Sequence, residues 1–268
     1  MALNATVRQF NGAPQLEPAQ TMVAINKVTM SFGEFTAVRD VDIQVGDGEF
    51  LAIVGPTGCG KSTILNSVAG LLKPSSGQVS IDGRAVSGVQ ESVGYLFQQD
   101  ALLPWKTAYQ NVELGLRFRG VPEAERKAKA NAWLAKVGLA GFEKRLPSEL
   151  SGGIQQRVGI ARALHLNPDI LLMDEPFSAL DALTREEMGF ELLRIWESQP
   201  KTVLFITHSI SEAVLLADRV LVMSGRPGTV AEDLAIDIPR PRGVETTGSK
   251  AMQDYSGYLR NLLLKREA

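Results

Sequence analysis

The chain has 268 residues, 44% of them hydrophobic, with 28 basic and 30 acidic side chains and a formal net charge of −2. This length and apolar content allow one substantial core. The near balance of charge argues against a nucleic-acid-binding protein, which normally carries a basic excess. A single cysteine, Cys59, excludes an internal disulfide and favours a reducing compartment.

Residues 1–22 contain Asn, Pro, Gln and Gly but no apolar stretch typical of a signal peptide, so we expect a poorly ordered tail. The longest apolar runs, such as Val203–Ile206, are far shorter than the roughly 18 residues that a membrane span needs. If the protein works at a membrane, we expect other chains to supply the spans.

The segment after the tail predicts strands and one helix. Apolar residues alternate in Val23–Phe32 and Val41–Val45, which predicts strands with one solvated face. Glu49–Val54 is almost continuously apolar, as in a strand covered on both faces. A helix is predicted over Lys61–Leu72, and short strands over Gln78–Ile81 and Val93–Phe97.

Residues from about 100 to 166 predict an inserted helical lobe. Three segments there have helical patterns: Thr107–Arg119, Pro122–Val137 and Gly153–Leu166. Pro122 suits a first-turn position and Gly138 a helix end. We interpret His165, near the end of the third segment, as an ordinary residue of the helix surface.

Strands and helices alternate after the lobe, which predicts right-handed βαβ units and a mostly parallel sheet. The predicted elements are Ile170–Met173, Ala182–Glu197, Thr202–Thr207, Ile210–Ala217 and Arg219–Met223. Pro227–Thr247 is rich in Pro, Gly and Arg and is expected to edge the core. Ala251–Lys265 predicts a terminal helix.

A glycine-rich loop follows the apolar strand and fits the pattern G-x-x-x-x-G-K-[ST]. Such glycines let backbone N–H groups turn inward around a phosphate, and the following helix adds its positive dipole end. Lys61 would reach the β- and γ-phosphates, and the Ser62 hydroxyl would bind Mg²⁺. The predicted nucleotide-binding residues here are Gly55, Pro56, Thr57, Gly58, Cys59, Gly60, Lys61, Ser62 and Thr63.

Two carboxylates follow the strand Ile170–Met173, at the edge where ligands bind in open α/β sheets. Asp174 would hold Mg²⁺, directly or through water, and Glu175 would polarise the attacking water. A solvated acidic turn would be the favoured interpretation of this pair alone. Its combination with the phosphate loop favours the catalytic one.

A second candidate anion site lies at Leu150–Arg157. Ser151 is a plausible N-cap, and Gly152 and Gly153 expose backbone donors at a helix N-terminus. Alone, this would be a plain capped helix start.

These three motifs, in this order, resemble the ATP-binding subunit of an ABC transporter over about Val23 to Arg242. The resemblance implies an α/β fold: a P-loop NTPase core with a mostly parallel sheet, an antiparallel β subdomain and an inserted helical subdomain. It implies an ATPase domain over 23–245, with the helical subdomain at about 100–166, and a C-terminal helical extension over 246–268.

Further residues match the family's motifs. Gln98 resembles the glutamine that touches Mg²⁺ and water, and His208 the switch histidine that grips the γ-phosphate. Asp181, in Ser178-Ala179-Leu180-Asp181, resembles the loop that crosses the dimer interface. Phe32 resembles the aromatic that stacks on adenine, with simple core packing as the alternative. Ile154 departs from the polar residue that many relatives carry; the donors of Ser151, Gly152 and Gly153 remain, so we expect phosphate contact to survive and only its fine positioning to be affected.

The resemblance also implies cofactors, partners and location. ATP and Mg²⁺ bind at Lys61 of one copy and are capped by Ser151 and Gly153 of a second, head-to-tail copy. The homodimer drives a transmembrane permease at the cytoplasmic face of the inner membrane, with an extracytoplasmic solute-binding protein as indirect partner. The apolar stretch Leu102–Trp105 is either packing within the lobe or a groove for a permease helix.

Leu102–Thr107, Gly225–Gly228 and Ile238–Arg242 resemble segments of importers for nitrate, aliphatic sulfonates, taurine or bicarbonate. Three alternatives stay open from the sequence. They are a lipid-trafficking ABC subunit, a soluble ABC ATPase acting on DNA or ribosomes, and a nucleotide-gated binding module without turnover.

Overall fold

The computed structural model describes residues 20–98 and 102–267, with side chains to residue 264. Residues 1–19 of the expected tail, and residues 99–101 at the expected start of the helical lobe, lie outside this part. The strands are β1 (Thr21–Phe32), β2 (Phe35–Gly46), β3 (Phe50–Val54), β4 (Ser76–Ile81), β5 (Arg84–Ala85), β6 (Val93–Leu96), β7 (Ile170–Asp174), β8 (Thr202–Ile206), β9 (Arg219–Met223) and β10 (Val230–Ala235). The helices are α1 (Lys61–Val68), α2 (Ala108–Phe118), α3 (Glu123–Lys136), α4 (Gly152–Leu164), α5 (Ala182–Ser198), α6 (Ile210–Leu216), α7 (Val244–Thr247) and α8 (Lys250–Glu267).

The central sheet has the order β10-β9-β3-β8-β7-β6, in which only β10 is antiparallel to its neighbour. Strand β3 lies in the middle and is buried on both faces, because successive side chains of a strand point to opposite sides. Phe50, Ala52 and Val54 enter one hydrophobic core, while Leu51 and Ile53 enter another. This confirms the prediction of a strand covered on both faces.

A second, antiparallel sheet has the order β2-β1-β4-β5. Its strands β1 and β2 are joined by a tight hairpin in which Phe32 pairs with Phe35. The predicted start of β2 at Val41 is therefore six residues late. Exposed residues and register shifts interrupt the alternation of apolar side chains between Phe35 and Val41, which hid this part of the strand.

The helices α2, α3 and α4 pack on one another and carry the apolar residues of the predicted lobe. Thr107 caps α2 through a reciprocal pair of hydrogen bonds with Gln110. The interpretation of His165 as surface was wrong: its side chain is only 4% exposed, and its Nδ1 lies 2.8 Å from the Arg162 carbonyl oxygen.

Two further element predictions need correction. Helix α1 ends at Val68 rather than Leu72, because Gly70 turns the chain with a φ of +74° and lies against the Gly88 backbone. The segment Pro227–Thr247 lies at the edge of the core as expected, but it contains a strand, β10, that was not predicted because the composition is rich in Pro and Gly.

An arginine ties this C-terminal segment to the core. Arg242 is buried, and its guanidinium donates to the carbonyl oxygens of Val214, Leu215, Ala217, Ile236 and Ile238. Three of these belong to the end of α6 and the residue after it, where carbonyls lack partners within the helix. Among the described residues, no helix combines the length and apolar character needed to cross a membrane.

Candidate active site

The phosphate loop joins the end of β3 to the start of α1. Gly60 has a φ of +92°, and a Cβ at this position would lie 2.2 Å from Val38 Cγ1, so the turn requires glycine. Lys61 begins the helix and is only 5% exposed. Its Nζ donates to the carbonyl oxygens of Gly55 at 2.8 Å and Pro56 at 3.0 Å, which holds the ammonium inside the loop.

A cleft of about 450 Å³ opens over this loop. It brings together side chains from distant parts of the sequence that we predicted as site residues, including Gln98, Glu175 and His208. Three residues that the sequence reasoning missed also line it. The lining residues are Phe32, Phe35, Ala37, Thr57, Gly58, Gly60, Lys61, Ser62, Thr63, Gln98, Glu175, His208 and Arg226.

Two aromatic rings form one wall of the cleft. Phe32 is 49% exposed and Phe35 is 50% exposed, at the two ends of the β1–β2 turn. Such exposure rules out the alternative of simple core packing for Phe32. An aromatic face left open beside a phosphate loop suits stacking on a nucleotide base. Phe35 is a second candidate for this contact, and the aromatic pair across a two-residue turn is the signal that would have revealed it.

Asp174 is the last residue of β7 and is buried beneath the cleft. Its Oδ1 is buried without a hydrogen-bond partner in the described part of the chain. Burial raises the pKa of Asp174, with a smaller increase from Glu175, and the Ser62 hydrogen bond and Lys61 oppose the shift.

These groups fit a magnesium ion. A buried carboxylate oxygen without a partner is costly, and a bound cation would remove that cost. In residues 20–98 and 102–267, no group of three or more His, Cys, Asp or Glu side chains is arranged to hold a metal. The chain would therefore hold Mg²⁺ through few ligands, with substrate phosphates and water completing the shell, as is usual for this ion.

Glu175 follows Asp174 and is held from both sides. Its backbone has a φ of +48°, and its N–H donates to the Ile206 carbonyl oxygen at 3.0 Å. Gln98 Nε2 donates to Glu175 Oε2 at 2.8 Å, and His208 Nε2 lies 2.5 Å from Glu175 Oε1. The Glu175 carboxylate, just after β7, is thus fixed at the edge of the cleft by residues that follow the two neighbouring strands, β6 and β8.

The loop that carries His208 is fixed by its own hydrogen bonds. Thr207 Oγ1 donates to Glu212 Oε2 at 2.6 Å, and the Ser209 side chain caps α6 by accepting from Glu212 N–H. Burial raises the pKa of Glu212, and its hydrogen bond from Thr207 opposes the shift. His208 itself projects from this loop with a side chain that is 44% exposed.

Of the other predicted residues, Gly55, Pro56 and Cys59 belong to the phosphate loop but do not line the cleft. Ser151, Gly152, Gly153 and Asp181 do not line the cleft of their own chain either. Ser151 occupies the N-cap position of α4, as predicted, but its side chain makes no capping hydrogen bond. A Cβ on Gly153 would lie 2.9 Å from Thr184 Cγ2. Asp181 caps α5 by accepting from Thr184 N–H at 3.0 Å, and this bond lowers its pKa.

Comparison with known proteins gives a consistent result. The family model described as ABC transporter matches residues 38–178. The taurine import ATP-binding protein TauB of Rhizobium johnstonii is 51% identical over 217 residues, which cover 81% of this chain and 82% of that protein. TauB of Pseudomonas aeruginosa is 46% identical over 242 residues, with coverage of 88% and 92%.

The fold is similar to that of solved cassettes. A dimeric ATP-binding cassette in a post-hydrolysis state, bound to ADP and phosphate, superposes with a TM-score of 0.72 at 36% identity. The superposition covers 81% of this chain and 100% of that one. The family match and these identities show that the chain belongs to the ATP-hydrolysing, ATP-binding subunits of the ABC transporter family.

Proposed function

We propose that this protein powers an importer for a small anionic solute of the taurine, sulfonate, nitrate or bicarbonate type. The match to relatives named for taurine import, over most of both chains, supports an importer. The solute itself would pass through a partner permease and would not contact this subunit. The class of solute is therefore inferred from the relatives and from the segments that resemble them.

The cleft would bind ATP with its base against Phe32 and its phosphates in the loop. The N-terminus of α1 and the Lys61 ammonium supply positive charge to the β- and γ-phosphates. Glu175, fixed by Gln98 and His208, would orient and polarise the attacking water. His208 would also contact the γ-phosphate from its exposed position. Catalysis of this kind is mostly positioning and electrostatic stabilisation.

Ser62, Asp174 and Gln98 are the residues that would hold Mg²⁺. When bound, the ion would neutralise charge on the phosphate oxygens. Asp174 Oδ1, which is buried without a hydrogen-bond partner in the described residues, would be free to bind the ion. Ser62 is the second residue of α1, and its hydroxyl lowers the pKa of the same carboxylate.

Two copies would act together. Ser151, Gly152 and Gly153 form a helix start outside the cleft of their own chain, with an exposed hydroxyl that caps nothing. We infer that they cap ATP bound at Lys61 of a second copy, in a head-to-tail homodimer, and that Asp181 lies at the shared interface. The dimeric state of the related solved cassettes supports this arrangement.

The transmembrane part would come from a permease, which would hold this subunit at the cytoplasmic face of the inner membrane. Trp105 is 71% exposed and follows Gln98 closely in sequence. An exposed aromatic at this place supports a contact with a permease helix. An extracytoplasmic solute-binding protein would deliver the solute to that permease.

The observation that carries the catalytic part of the proposal is the placement of Glu175 between Gln98 and His208 at the edge of the phosphate-loop cleft. Its test is the variant Glu175→Gln, with phosphate release and size-exclusion chromatography in Mg-ATP. We expect turnover to fall by roughly 10²–10⁴-fold, because the general base is lost, and an ATP-bound dimer to accumulate. The matched control is Glu186→Gln, an exposed carboxylate on α5. Full turnover by Glu175→Gln, with only monomers in ATP, would contradict the proposal.

A further inference from the structure

The loop between β9 and β10, residues 224–229, lies against the phosphate loop. We call it the arginine loop, after Arg226. Gly228 N–H donates to the Ala37 carbonyl oxygen, and Arg39 N–H donates to the Gly228 carbonyl oxygen, both at 2.9 Å. A Cβ on Gly228 would lie 1.9 Å from the Cys59 carbonyl oxygen. The backbones of the arginine loop and the phosphate loop are therefore in direct contact here, and a side chain at Gly228 would not fit.

The arginine loop is also fixed internally. Ser224 Oγ and Thr229 Oγ1 lie 2.7 Å apart, and Thr229 N–H donates to Ser224 Oγ at 3.1 Å. These bonds close the loop between the ends of two paired strands. A residue at its tip is thus presented from a preorganised backbone, which lowers the entropic cost of a contact.

Arg226 lies at that tip and covers Gly58 of the phosphate loop. Its Nε donates to the Gly58 carbonyl oxygen at 3.2 Å. A Cβ on Gly58 would lie 2.2 Å from Arg226 Nη2, so the guanidinium occupies the space that a side chain would need. Arg226 is exposed and lines the cleft together with Lys61 and Ser62.

The guanidinium keeps most of its donors free. It has five N–H donors, of which the contact to Gly58 uses one. Within residues 20–98 and 102–264, no hydrogen bond or ion pair of its two Nη groups is found. Lys61, by contrast, directs its ammonium to the carbonyl oxygens of its own loop. Arg226 therefore offers a permanent positive charge and a planar fork of donors to the cleft, the geometry that suits a phosphate group.

We propose that Arg226 is a nucleotide-binding residue that contacts the phosphate chain of bound ATP. It adds to the phosphate loop a cation from a separate element, the β9–β10 connection. The phosphates are favoured over the base because the guanidinium lies on Gly58, whereas the base has an aromatic wall of its own at Phe32 and Phe35. The inference rests on the proposed binding of ATP in this cleft.

The test compares the affinities of ATP, ADP and adenosine, measured by displacement of a fluorescent ATP analogue. The variants are Arg226→Ala, Arg226→Gln and Arg226→Lys, with Arg84→Ala on the distant edge strand β5 as matched control. We expect Arg226→Ala and Arg226→Gln to weaken ATP and ADP by about tenfold, the size of one charge-assisted contact. Adenosine should bind as in the wild type, and Arg226→Lys should recover part of the loss.

The Arg226→Gln variant removes the positive charge but keeps a donor for the Gly58 carbonyl oxygen. It therefore distinguishes the effect of losing the charge from the effect of disturbing the arginine loop. Its thermal unfolding midpoint should match the wild type. The inference is overturned if the Gln variant binds ATP normally, or if adenosine is weakened as much as ATP, which would indicate base stacking or loop damage. Failure of the underlying proposal looks different: the wild type would not bind ATP, or Lys61→Ala would bind it unchanged.

Discussion

Glu175 Oε1 lies 2.5 Å from His208 Nε2, although the two residues are 33 positions apart in the sequence. The contact follows from the parallel pairing of β7 with β8, in which Asp174 is opposite Ile206. Each side chain thus leaves the sheet at the same edge, one or two residues beyond a paired strand end. The histidine is therefore placed to hold the carboxylate and to reach the cleft.

We predict that His208→Ala lowers ATP turnover by roughly 100-fold, because Glu175 loses one of its two fixed partners and the γ-phosphate loses a contact. ATP affinity should change much less, since Lys61 and the loop remain. His208→Gln, which keeps a donor near Glu175 Oε1, should recover part of the rate. Steady-state phosphate release and calorimetric ATP binding are the measurements. Equal rates for the wild type and the Ala variant would refute the assigned role.

Asp174→Asn should stabilise the nucleotide-free protein while destroying its activity. The raised pKa of Asp174 means that the folded state holds the carboxyl proton more tightly than the unfolded chain does. The contribution of this carboxyl group to the free energy of unfolding is therefore present at low pH. It is lost as the pH rises through the pKa that the group has in the folded state. A neutral amide avoids the cost of the buried charge at pH 7.

The thermal unfolding midpoint without nucleotide should rise in Asp174→Asn at pH 7, and the difference from the wild type should shrink at acidic pH. Magnesium-dependent turnover should be lost. Asp47→Asn, in an exposed turn, is the control and should change neither property. A lower midpoint for Asp174→Asn would show that burial of the charge is not what dominates at this site.

Trp105→Ala should uncouple transport from hydrolysis if the exposed indole contacts the permease. In vesicles with the partner permease, we expect less solute moved per ATP, while the isolated subunit hydrolyses ATP at its normal rate. Phe118→Ala is a matched control, because this aromatic is also exposed but is the last residue of α2, whereas Trp105 precedes that helix. An unchanged ratio of transport to hydrolysis for Trp105→Ala would count against a permease contact.

Arg242→Met should destabilise the fold. The substitution leaves several buried carbonyl oxygens at the end of α6 without a donor, a cost of about 3 kcal/mol. Burial lowers the pKa of Arg242 to about 10, so the guanidinium is still charged at pH 7. For a chain of this size the unfolding midpoint should fall by roughly 6–12 °C. Arg145→Met, which removes an exposed i,i+4 pair with Glu149, should change it by about 1–2 °C at most.

The sequence predicted those parts of the site that depend on local pattern. An apolar run that is followed by glycines and a lysine, or by two carboxylates, predicts a strand. It also identifies the side chains that lie at the end of that strand. The strands β3, β7 and β8 were predicted almost to the residue, because their continuous apolar runs are bounded by turns. Gln98, Glu175 and His208 meet in the cleft for that reason.

Features that depend on contacts between distant segments were missed. Arg226 reaches Gly58 only because the arginine loop pairs with β2, 190 residues away. His165 has the sequence surroundings of a surface residue and is buried by tertiary packing. Residue patterns within a short window hold no information about such neighbours.

The helix start at Ser151 lies outside the cleft that holds Lys61 in the same chain, so a single copy carries two separate parts of the proposed ATP site. In the proposed dimer, the rate of hydrolysis per molecule should therefore grow with protein concentration in dilute solution and level off once pairs predominate. A permease that holds two copies side by side would remove this dependence. Free subunits would then hydrolyse little ATP, and most hydrolysis would take place in assembled transporters.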